Sequence, residues 1–299
     1  MKNKPTSDQL IRIMSDDGSL RATVVSTTQL VAEICQRQQT DPTATVALGR
    51  LVTAAALMGS LLKDDQRVAL SIEANGPLQK LQAESDASGT IRGTIKVPCC
   101  NLPPVDNQFD VANAIGKAGF LHVVKDLGLK EPYRGMVQLS TSEVAEDLAH
   151  YFTTSEQTPT SVALGVTLNK DAKVAASGGF LIQALPDCDN SILDHLEHTL
   201  KNFSAISTQL REGSTPLEIV AKLMTAIPFT VQTEYPLTFS CHCSQQQVIK
   251  MLQSIPADDL LELSERSENT EISCEYCKNN YSFSPLELKG LLTTENKQS

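Results

Sequence analysis

The sequence predicts an α+β fold in three parts: an N-terminal core domain of sheets and helices over residues 1–186, an amphipathic helical linker over residues 187–236, and a small C-terminal domain over residues 237–299. Three observations support this division. Strand-like and helix-like patterns alternate up to Pro186, the next segment is acidic with apolar residues at helical spacing, and four cysteines cluster near the C-terminus. A chain of 299 residues is long enough for one or two domains of about 100–200 residues each.

Strands are predicted where apolar and polar residues alternate between turn signals. The β-branched run from Arg21 to Ser26 follows the turn signal Asp16-Asp17-Gly18, which indicates the outgoing strand of a hairpin. The same reasoning predicts further strands over residues 68–72, 78–83, 91–97, 162–168 and 180–185.

Two helices are predicted among these strands. Small and apolar residues throughout 44–62 indicate a helix that is buried on most of its surface. Residues 143–152 indicate an amphipathic helix, begun by a cap from Ser140, Thr141 or Ser142. A sheet packed by helices is the expected result.

The linker combines acidic charge with an apolar stripe. Residues 187–235 hold seven acidic side chains against three basic ones. Its apolar residues recur at three- and four-residue steps: Ile192, Leu196, Leu200, Phe203, Ile206 and Leu210. A second stretch begins at Thr215-Pro216, a cap followed by an N1 proline. Because short helices outside a core are only marginally stable, we expect the stripe to pack against the folded protein and to be able to detach.

Four cysteines form the most informative motif. Cys241-His242-Cys243 is a C-x-C pair, and a longer segment separates it from the C-x-x-C pair Cys274-Glu275-Tyr276-Cys277. Two close thiol pairs suit one tetrahedral zinc ion bound by Cys241, Cys243, Cys274 and Cys277. A helix capped by Ser244, a hairpin flanking the second pair and a C-terminal helix from Ser284-Pro285 to Leu291 complete the predicted domain.

The four cysteines are consistent with two kinds of zinc site, a structural one and a redox-sensitive one. A Cys₄ site leaves no open position for a substrate, so it can be purely structural. Each close pair, however, can also join as a disulfide once the metal leaves, and zinc holds the thiols as the thiolates that peroxide attacks. His242 is an alternative ligand in place of one thiolate.

Composition argues against several other functions. The 25 Lys and Arg residues are outnumbered by 35 Asp and Glu residues, which gives a net charge of −10 and disfavours nucleic acid as a partner. The apolar stretch Leu51–Leu62 has 12 residues, fewer than the roughly 20 that cross a bilayer. The N-terminus lacks the apolar region of a secretory signal, so a cytoplasmic location with reduced thiols is expected.

Motifs for catalysis or nucleotide binding are missing. Gly116-Lys117 lacks the earlier glycine of a phosphate loop, because Val111 occupies that position. The remaining cysteines, Cys35, Cys99, Cys100 and Cys188, are interpreted as ordinary thiols without an assigned role. We therefore expect no enzyme site and no nucleotide.

The sequence resembles the heat shock protein 33 family of redox-regulated holdase chaperones. The resemblance covers essentially the whole chain. It is carried by Ala47-Leu48-Gly49-Arg50, Asn75-Gly76-Pro77-Leu78, Lys125-Asp126-Leu127-Gly128, Pro132-Tyr133-Arg134-Gly135, Ser155-Glu156-Gln157-Thr158-Pro159, Gly179-Phe180-Leu181-Ile182-Gln183, Phe239-Ser240-Cys241-His242-Cys243-Ser244 and Cys274-Glu275-Tyr276-Cys277.

The resemblance implies an ATP-independent chaperone that binds unfolding or oxidatively damaged proteins under oxidative and heat stress. In the reduced, inactive state the four cysteines would bind one zinc ion. Oxidation would form the disulfides Cys241–Cys243 and Cys274–Cys277, release zinc, unfold the C-terminal domain and the linker, and yield an active homodimer. Two alternatives remain at this stage: a thiol-disulfide oxidoreductase using the second cysteine pair, and a purely structural zinc-ribbon binding module.

Overall fold

The computed structural model describes residues 7–105, 108–186 and 188–295. They fall into two compact units, divided between Ser240 and Cys241. The mixture of strands and helices in both units confirms the predicted α+β class.

The first unit contains eleven strands and seven helices among its described residues. Its strands are β1 (Gln9–Ser15), β2 (Leu20–Ser26), β3 (Arg67–Ala74), β4 (Lys80–Asp86), β5 (Thr90–Ile95), β6 (Gly119–Asp126), β7 (Tyr133–Gln138), β8 (Thr160–Leu168), β9 (Val174–Ala184), β10 (Phe229–Pro236) and β11 (Thr238–Phe239). Its helices are α1 (Thr28–Gln38), α2 (Pro42–Gly59), α3 (Val111–Ile115), α4 (Val144–Ser155), α5 (Asn190–Lys201), α6 (Ile206–Arg211) and α7 (Pro216–Leu223).

These strands form two sheets. The five-stranded sheet has the order β10-β1-β2-β9-β8 and is antiparallel throughout. The six-stranded sheet has the order β11-β5-β4-β3-β6-β7 and is antiparallel except for the parallel pair of β11 with β5. Helix α2 contacts strands of both sheets and so forms the centre of the larger core.

Helix α2 is buried over almost its whole surface, as the run of small and apolar residues predicts. Asp41 caps its N-terminus by accepting the Ala44 N–H, and every residue of the helix except Pro42 and Arg50 is buried. With 18 residues, α2 is long and apolar enough to cross a membrane by length and composition alone, while the apolar stretch Leu51–Leu62 that overlaps it has only 12 residues. Because 89% of the helix is buried inside the protein, its character is that of a core helix.

The predicted cap of the helix after residue 143 was also wrong. Helix α4 begins at Val144, and its N-cap residue Glu143 makes no side-chain capping bond. Instead, the buried Asp147 accepts the N–H groups of Ser140 and Thr141 through Oδ1, at 2.7 and 3.1 Å. A carboxylate from within the helix therefore organises the preceding loop, and the serine and threonine side chains do not cap it.

The linker packs against the five-stranded sheet. Residues of α5, α6 and α7, including Leu196, Ile206 and Leu223, form a second core with the outer face of β1, β2 and β9. Helix α7 has the predicted start, since Thr215 caps it immediately before Pro216, and Glu218 completes a reciprocal capping box. The stripe is thus covered in this structure, as expected.

The linker was predicted to be helical, but its last residues form a strand. Strand β10 pairs antiparallel with β1, so that Phe229 lies opposite Ser15 and Tyr235 lies opposite Leu10. The edge of β1 provides partners for the backbone of this segment, so extended pairing replaces helix here. The division of the chain at residues 186 and 236 stays a prediction.

The second unit is small. It contains the hairpin β12 (Thr270–Ser273) and β13 (Asn280–Phe283) with helices α8 (Gln245–Gln253), α9 (Ala257–Glu265) and α10 (Pro285–Glu295). Its core centres on four buried side chains: Leu252, Leu260, Phe283 and Leu288. As predicted, Ser244 caps α8, which ends before Pro256, and Ser284 caps the C-terminal helix.

A buried carboxylate makes the stability of the first unit depend on pH. Asp8 is 4% exposed, and its Oδ2 accepts the N–H of Leu30 in the first turn of α1 at 2.6 Å. Its Oδ1 has no hydrogen-bond partner among the described residues. Burial raises the pKa of Asp8 from 3.8 to about 6, although the N–H groups of α1 oppose this rise.

We expect the Asp8 contribution to the free energy of unfolding to be largest below pH 4 and to be lost as the pH rises to about 6. The folded state binds the proton more tightly, so stability falls as this proton leaves. The raised pKa corresponds to about 3 kcal/mol at most. Urea unfolding at pH 4, 5, 6 and 7 should show a weaker decline for Asp8→Asn than for the unmodified protein. Parallel pH profiles of the two proteins would contradict this prediction.

Candidate metal centre

The four cysteines of the motif meet within the second unit. Cys241 and Cys243 lie in the irregular segment before α8, while Cys274 and Cys277 lie in the turn between β12 and β13. The four Sγ atoms all lie within 4.8 Å of one another. Cys277 is buried and the other three are half-buried. We refer to these residues as the four-cysteine group.

The hairpin fixes the second pair. The N–H of Cys274 donates to the Asn279 carbonyl at 2.9 Å, and the N–H of Lys278 donates to the Cys274 carbonyl at 2.9 Å. Lys278 adopts a left-handed conformation, with φ of 61°, which turns the chain into β13. These bonds bring both thiols of the C-x-x-C turn to one side of the hairpin end.

Close sulfur contacts run between the two sequence pairs. Cys241 Sγ lies 3.7 Å from Cys274 Sγ, and Cys243 Sγ lies 3.2 Å from Cys277 Sγ. The group therefore joins two segments that are distant in the chain, since the contacting cysteines are 33 and 34 positions apart. None of these four cysteines is in a disulfide in this structure.

The group fits a tetrahedral metal ion. Zn–S bonds of about 2.3 Å in a tetrahedron place the sulfurs about 3.8 Å apart, close to the separations seen here. Four soft thiolate donors are a set that zinc prefers in closed structural sites. The ring of His242 is not among the side chains that gather within 4.8 Å.

The thiols differ in their tendency to ionise. Partial burial opposes ionisation of Cys241, but hydrogen bonds from the Cys243 N–H and the neighbouring thiols together lower its pKa to about 7. Burial raises the pKa of Cys243, and burial together with the neighbouring sulfurs raises the pKa of Cys277 to about 12. Before any metal binds, Cys241 thus forms a thiolate more readily than an ordinary cysteine does.

A tyrosine that the sequence predicts only as a strand residue contacts the group. The hydroxyl of Tyr281, on β13, donates a hydrogen bond to Cys243 Sγ at 3.1 Å. This bond is the main reason why the pKa of Tyr281 is raised to about 12. The signal in the sequence was weak, because the two residues are 38 positions apart.

The other cysteines lie outside the group. Cys35 is buried in the first unit, where burial raises its pKa to about 11. Cys99 is exposed, while Cys100 and Cys188 are half-buried. The C-x-x-C turn lies in a β-hairpin, and not in the βαβ context of a thioredoxin-like oxidoreductase.

Comparisons with known proteins agree with one another. The family model described as Hsp33 protein matches residues 8–284. The 33 kDa chaperonin of Syntrophotalea carbinolica is 55% identical over 285 residues, which cover 95% of this chain and 99% of the relative. The 33 kDa chaperonin of Geobacter sulfurreducens is 45% identical, with 95% of each chain covered.

A solved structure shares the whole fold. The crystal structure of the 33 kDa chaperonin from Thermotoga maritima matches with a TM-score of 0.90 and 31% identity, over 98% of this chain and 100% of that one. The family model, the relatives and the solved structure thus agree over nearly the full length. The chain therefore belongs to the Hsp33 family of chaperones.

Proposed function

We propose that this protein is a redox-regulated, ATP-independent holdase that binds unfolding or oxidatively damaged proteins under oxidative and heat stress. The observation that carries the proposal is the four-cysteine group, in which sulfur alone gathers within 4.8 Å inside a very small unit. In the reduced, inactive state Cys241, Cys243, Cys274 and Cys277 would hold one zinc ion, which would supply cross-linking and folding free energy.

The second unit depends on such a cross-link. Apart from the buried Cys277, its core has only four buried apolar side chains among the residues described, and units of about 60 residues are marginally stable. Structural zinc contributes about 10–16 kcal/mol in small metal domains, as much as the whole stability of many domains. Loss of the four thiolate ligands should therefore unfold this unit.

Oxidation removes those ligands. When peroxide is the oxidant, two thiols and one peroxide molecule give one disulfide and two water molecules, so two peroxide molecules oxidise all four cysteines. In line with the family resemblance, we propose the products Cys241–Cys243 and Cys274–Cys277. Neither disulfide leaves a thiolate available for zinc.

Unfolding of the second unit would reach the linker through the chain segment that joins them. Cys241 comes shortly after β11, which is held by hydrogen bonds from Thr238 N–H to the Gly89 carbonyl and from Ser240 N–H to the Ile91 carbonyl. Gly89 has φ of 86°, and a Cβ there would lie 2.7 Å from the Pro236 carbonyl oxygen, so close packing keeps this segment in place. We propose that unfolding from Cys241 onwards loosens this short strand and then the linker.

Detachment of the linker would expose two apolar surfaces at once. One is the stripe of α5, α6 and α7, and the other is the outer face of β1, β2 and β9 that the stripe covers. Large apolar patches bind other apolar surfaces, which is the chemistry that unfolding clients offer. The acidic residues of the linker would keep the opened chain in solution.

The remaining parts of the proposal follow the family resemblance. We propose a homodimer in the oxidised state and a cytoplasmic location, without any need for nucleotide. Sedimentation velocity of the reduced and oxidised protein tests the dimer, because only the oxidised sample should sediment as two chains.

The test of the function combines three measurements on the full-length protein. Peroxide with mild heat should release one zinc per chain, which a chromophoric chelator detects. It should also convert the four cysteines to disulfides, which thiol trapping and peptide mapping identify. The treated protein should then suppress light scattering from a heat-denatured client. The zinc-bound reduced protein should suppress scattering poorly.

Two results would contradict the proposal. One is full suppression by the reduced protein, and the other is activation while the four cysteines stay reduced. Rapid turnover in an insulin-reduction assay would favour the oxidoreductase alternative.

A further inference from the structure

The hydroxyl of Tyr281 touches one sulfur of the four-cysteine group. The position of Tyr281 on β13 is fixed by pairing with Ile272 of β12, and its ring packs against the small core of the second unit. From there the hydroxyl donates to Cys243 Sγ at 3.1 Å. Strand pairing and packing thus hold the ring, while the hydroxyl acts on the sulfur.

We propose that Tyr281 is a positioning residue that slows the attack of Cys243 on peroxide and so sets how much oxidant the switch needs. This inference rests on the proposed function and names a further residue that regulates it. Tyr281 would act through Cys243, and it would not itself be oxidised.

The direction of the effect follows from the state of the thiol. A metal-bound cysteine is already a thiolate, so a hydrogen bond cannot increase the reactive fraction. The bond, at 3.1 Å, engages electron density on the Cys243 sulfur that would otherwise attack peroxide, so the sulfur is a weaker nucleophile while the bond is in place. The same bond orients Cys243 and would strengthen the binding of a metal ion there, as partners of metal ligands commonly do.

The step that Tyr281 would slow is the reaction of the Cys243 thiolate with peroxide. Its thiolate attacks one peroxide oxygen, so that an S–O bond forms, the O–O bond breaks and hydroxide leaves. The thiolate of Cys241 then attacks the sulfur of this sulfenic acid, so that the S–S bond forms and a second hydroxide leaves. The two sulfurs together lose two electrons, and one peroxide gains them.

The test compares Tyr281→Phe with the unmodified protein, both full-length and zinc-bound. Phenylalanine keeps the ring that packs in the core and removes only the hydroxyl. We expect Cys243 to be lost to peroxide about three- to tenfold faster, as measured by isotope-coded alkylation and mass spectrometry. Competition with a chromophoric chelator should show zinc affinity lowered by about tenfold or more.

A matched control removes another hydroxyl from the same strand. Ser282 is exposed on β13, and its Oγ accepts a hydrogen bond from Asn269, away from the sulfurs. Ser282→Ala should leave both the oxidation rate and the zinc affinity unchanged. Rates measured at two saturating zinc concentrations should agree, which excludes oxidation of metal-free protein as the cause of the faster reaction.

A second variant should change the oxidation rate of Cys243 in the opposite direction. Fluorotyrosine incorporated at position 281 keeps the ring and makes the hydroxyl a stronger donor, so Cys243 should react more slowly. Unchanged rates and affinities in both variants would overturn the inference, as would equal acceleration at all four cysteines with a lowered melting temperature. If the unmodified protein does not oxidise at these cysteines, the proposed function fails instead.

Discussion

Replacing Cys241 and Cys274 together by serine will abolish tight metal binding and leave the second unit unfolded. The two Sγ atoms lie 3.7 Å apart and belong to the two different pairs, so the double change leaves one ligand on each segment. The segments then lose the proposed zinc cross-link, and structural zinc contributes about 10–16 kcal/mol in small metal domains. Metal analysis after dialysis should find no zinc, and hydrogen exchange should show residues 241–295 unprotected.

The matched control is Cys99→Ser with Cys100→Ser. These thiols belong to the first unit and lie outside the four-cysteine group, so this variant should keep one zinc per chain and a normal response to peroxide. Full zinc affinity and normal oxidant activation in the Cys241→Ser, Cys274→Ser variant would show that the metal centre is assigned to the wrong residues.

Shortening Leu223 to alanine will lower the threshold for activation. Leu223 is fully buried where α7 packs against the five-stranded sheet, in the core formed by the linker. A Leu→Ala change in such a site costs about 2–5 kcal/mol, because apolar contact is lost and a cavity remains. The docked linker should therefore open at lower temperature or lower peroxide concentration, as measured by client light scattering and by hydrogen exchange over residues 188–236.

Leu217→Ala is the control on the same helix. Leu217 is 44% exposed, so its truncation removes little buried surface and should leave the threshold unchanged. The role given to the linker would be wrong if Leu223→Ala lowered the stability of the first unit, yet required the same peroxide and heat for activation as the unmodified protein.

The local features of this fold were readable from the sequence. The burial of α2, the Thr215 cap followed by Pro216 and the start of α8 at Ser244 each depend on residues within a few positions of one another. Turn signals and alternation likewise located most strands. Periodicity and short-range hydrogen bonds create these patterns, so a single sequence carries them.

Elements that depend on distant partners were missed. The first turn of helix α1 donates a hydrogen bond to Asp8, which lies well before Leu30 in the chain. Segment β10 is a strand because β1, near the start of the chain, offers it an edge. Neither Asp8 nor strand β1 changes the residue pattern of the segment that it contacts, so the sequence of that segment does not reveal the contact. The same holds for the loop before α4, which Asp147 organises from inside the helix.

For the site, the sequence determined which four cysteines belong together and which kind of ion their sulfurs suit, because thiol chemistry and pair spacing are local properties. Their roles as zinc ligands and redox partners stay predictions. Only the tertiary structure decided that Cys241 faces Cys274, that Cys243 faces Cys277, and that the Tyr281 hydroxyl reaches Cys243. These contacts arise when the hairpin end folds against the segment before α8, and no spacing within either segment specifies which atoms then meet.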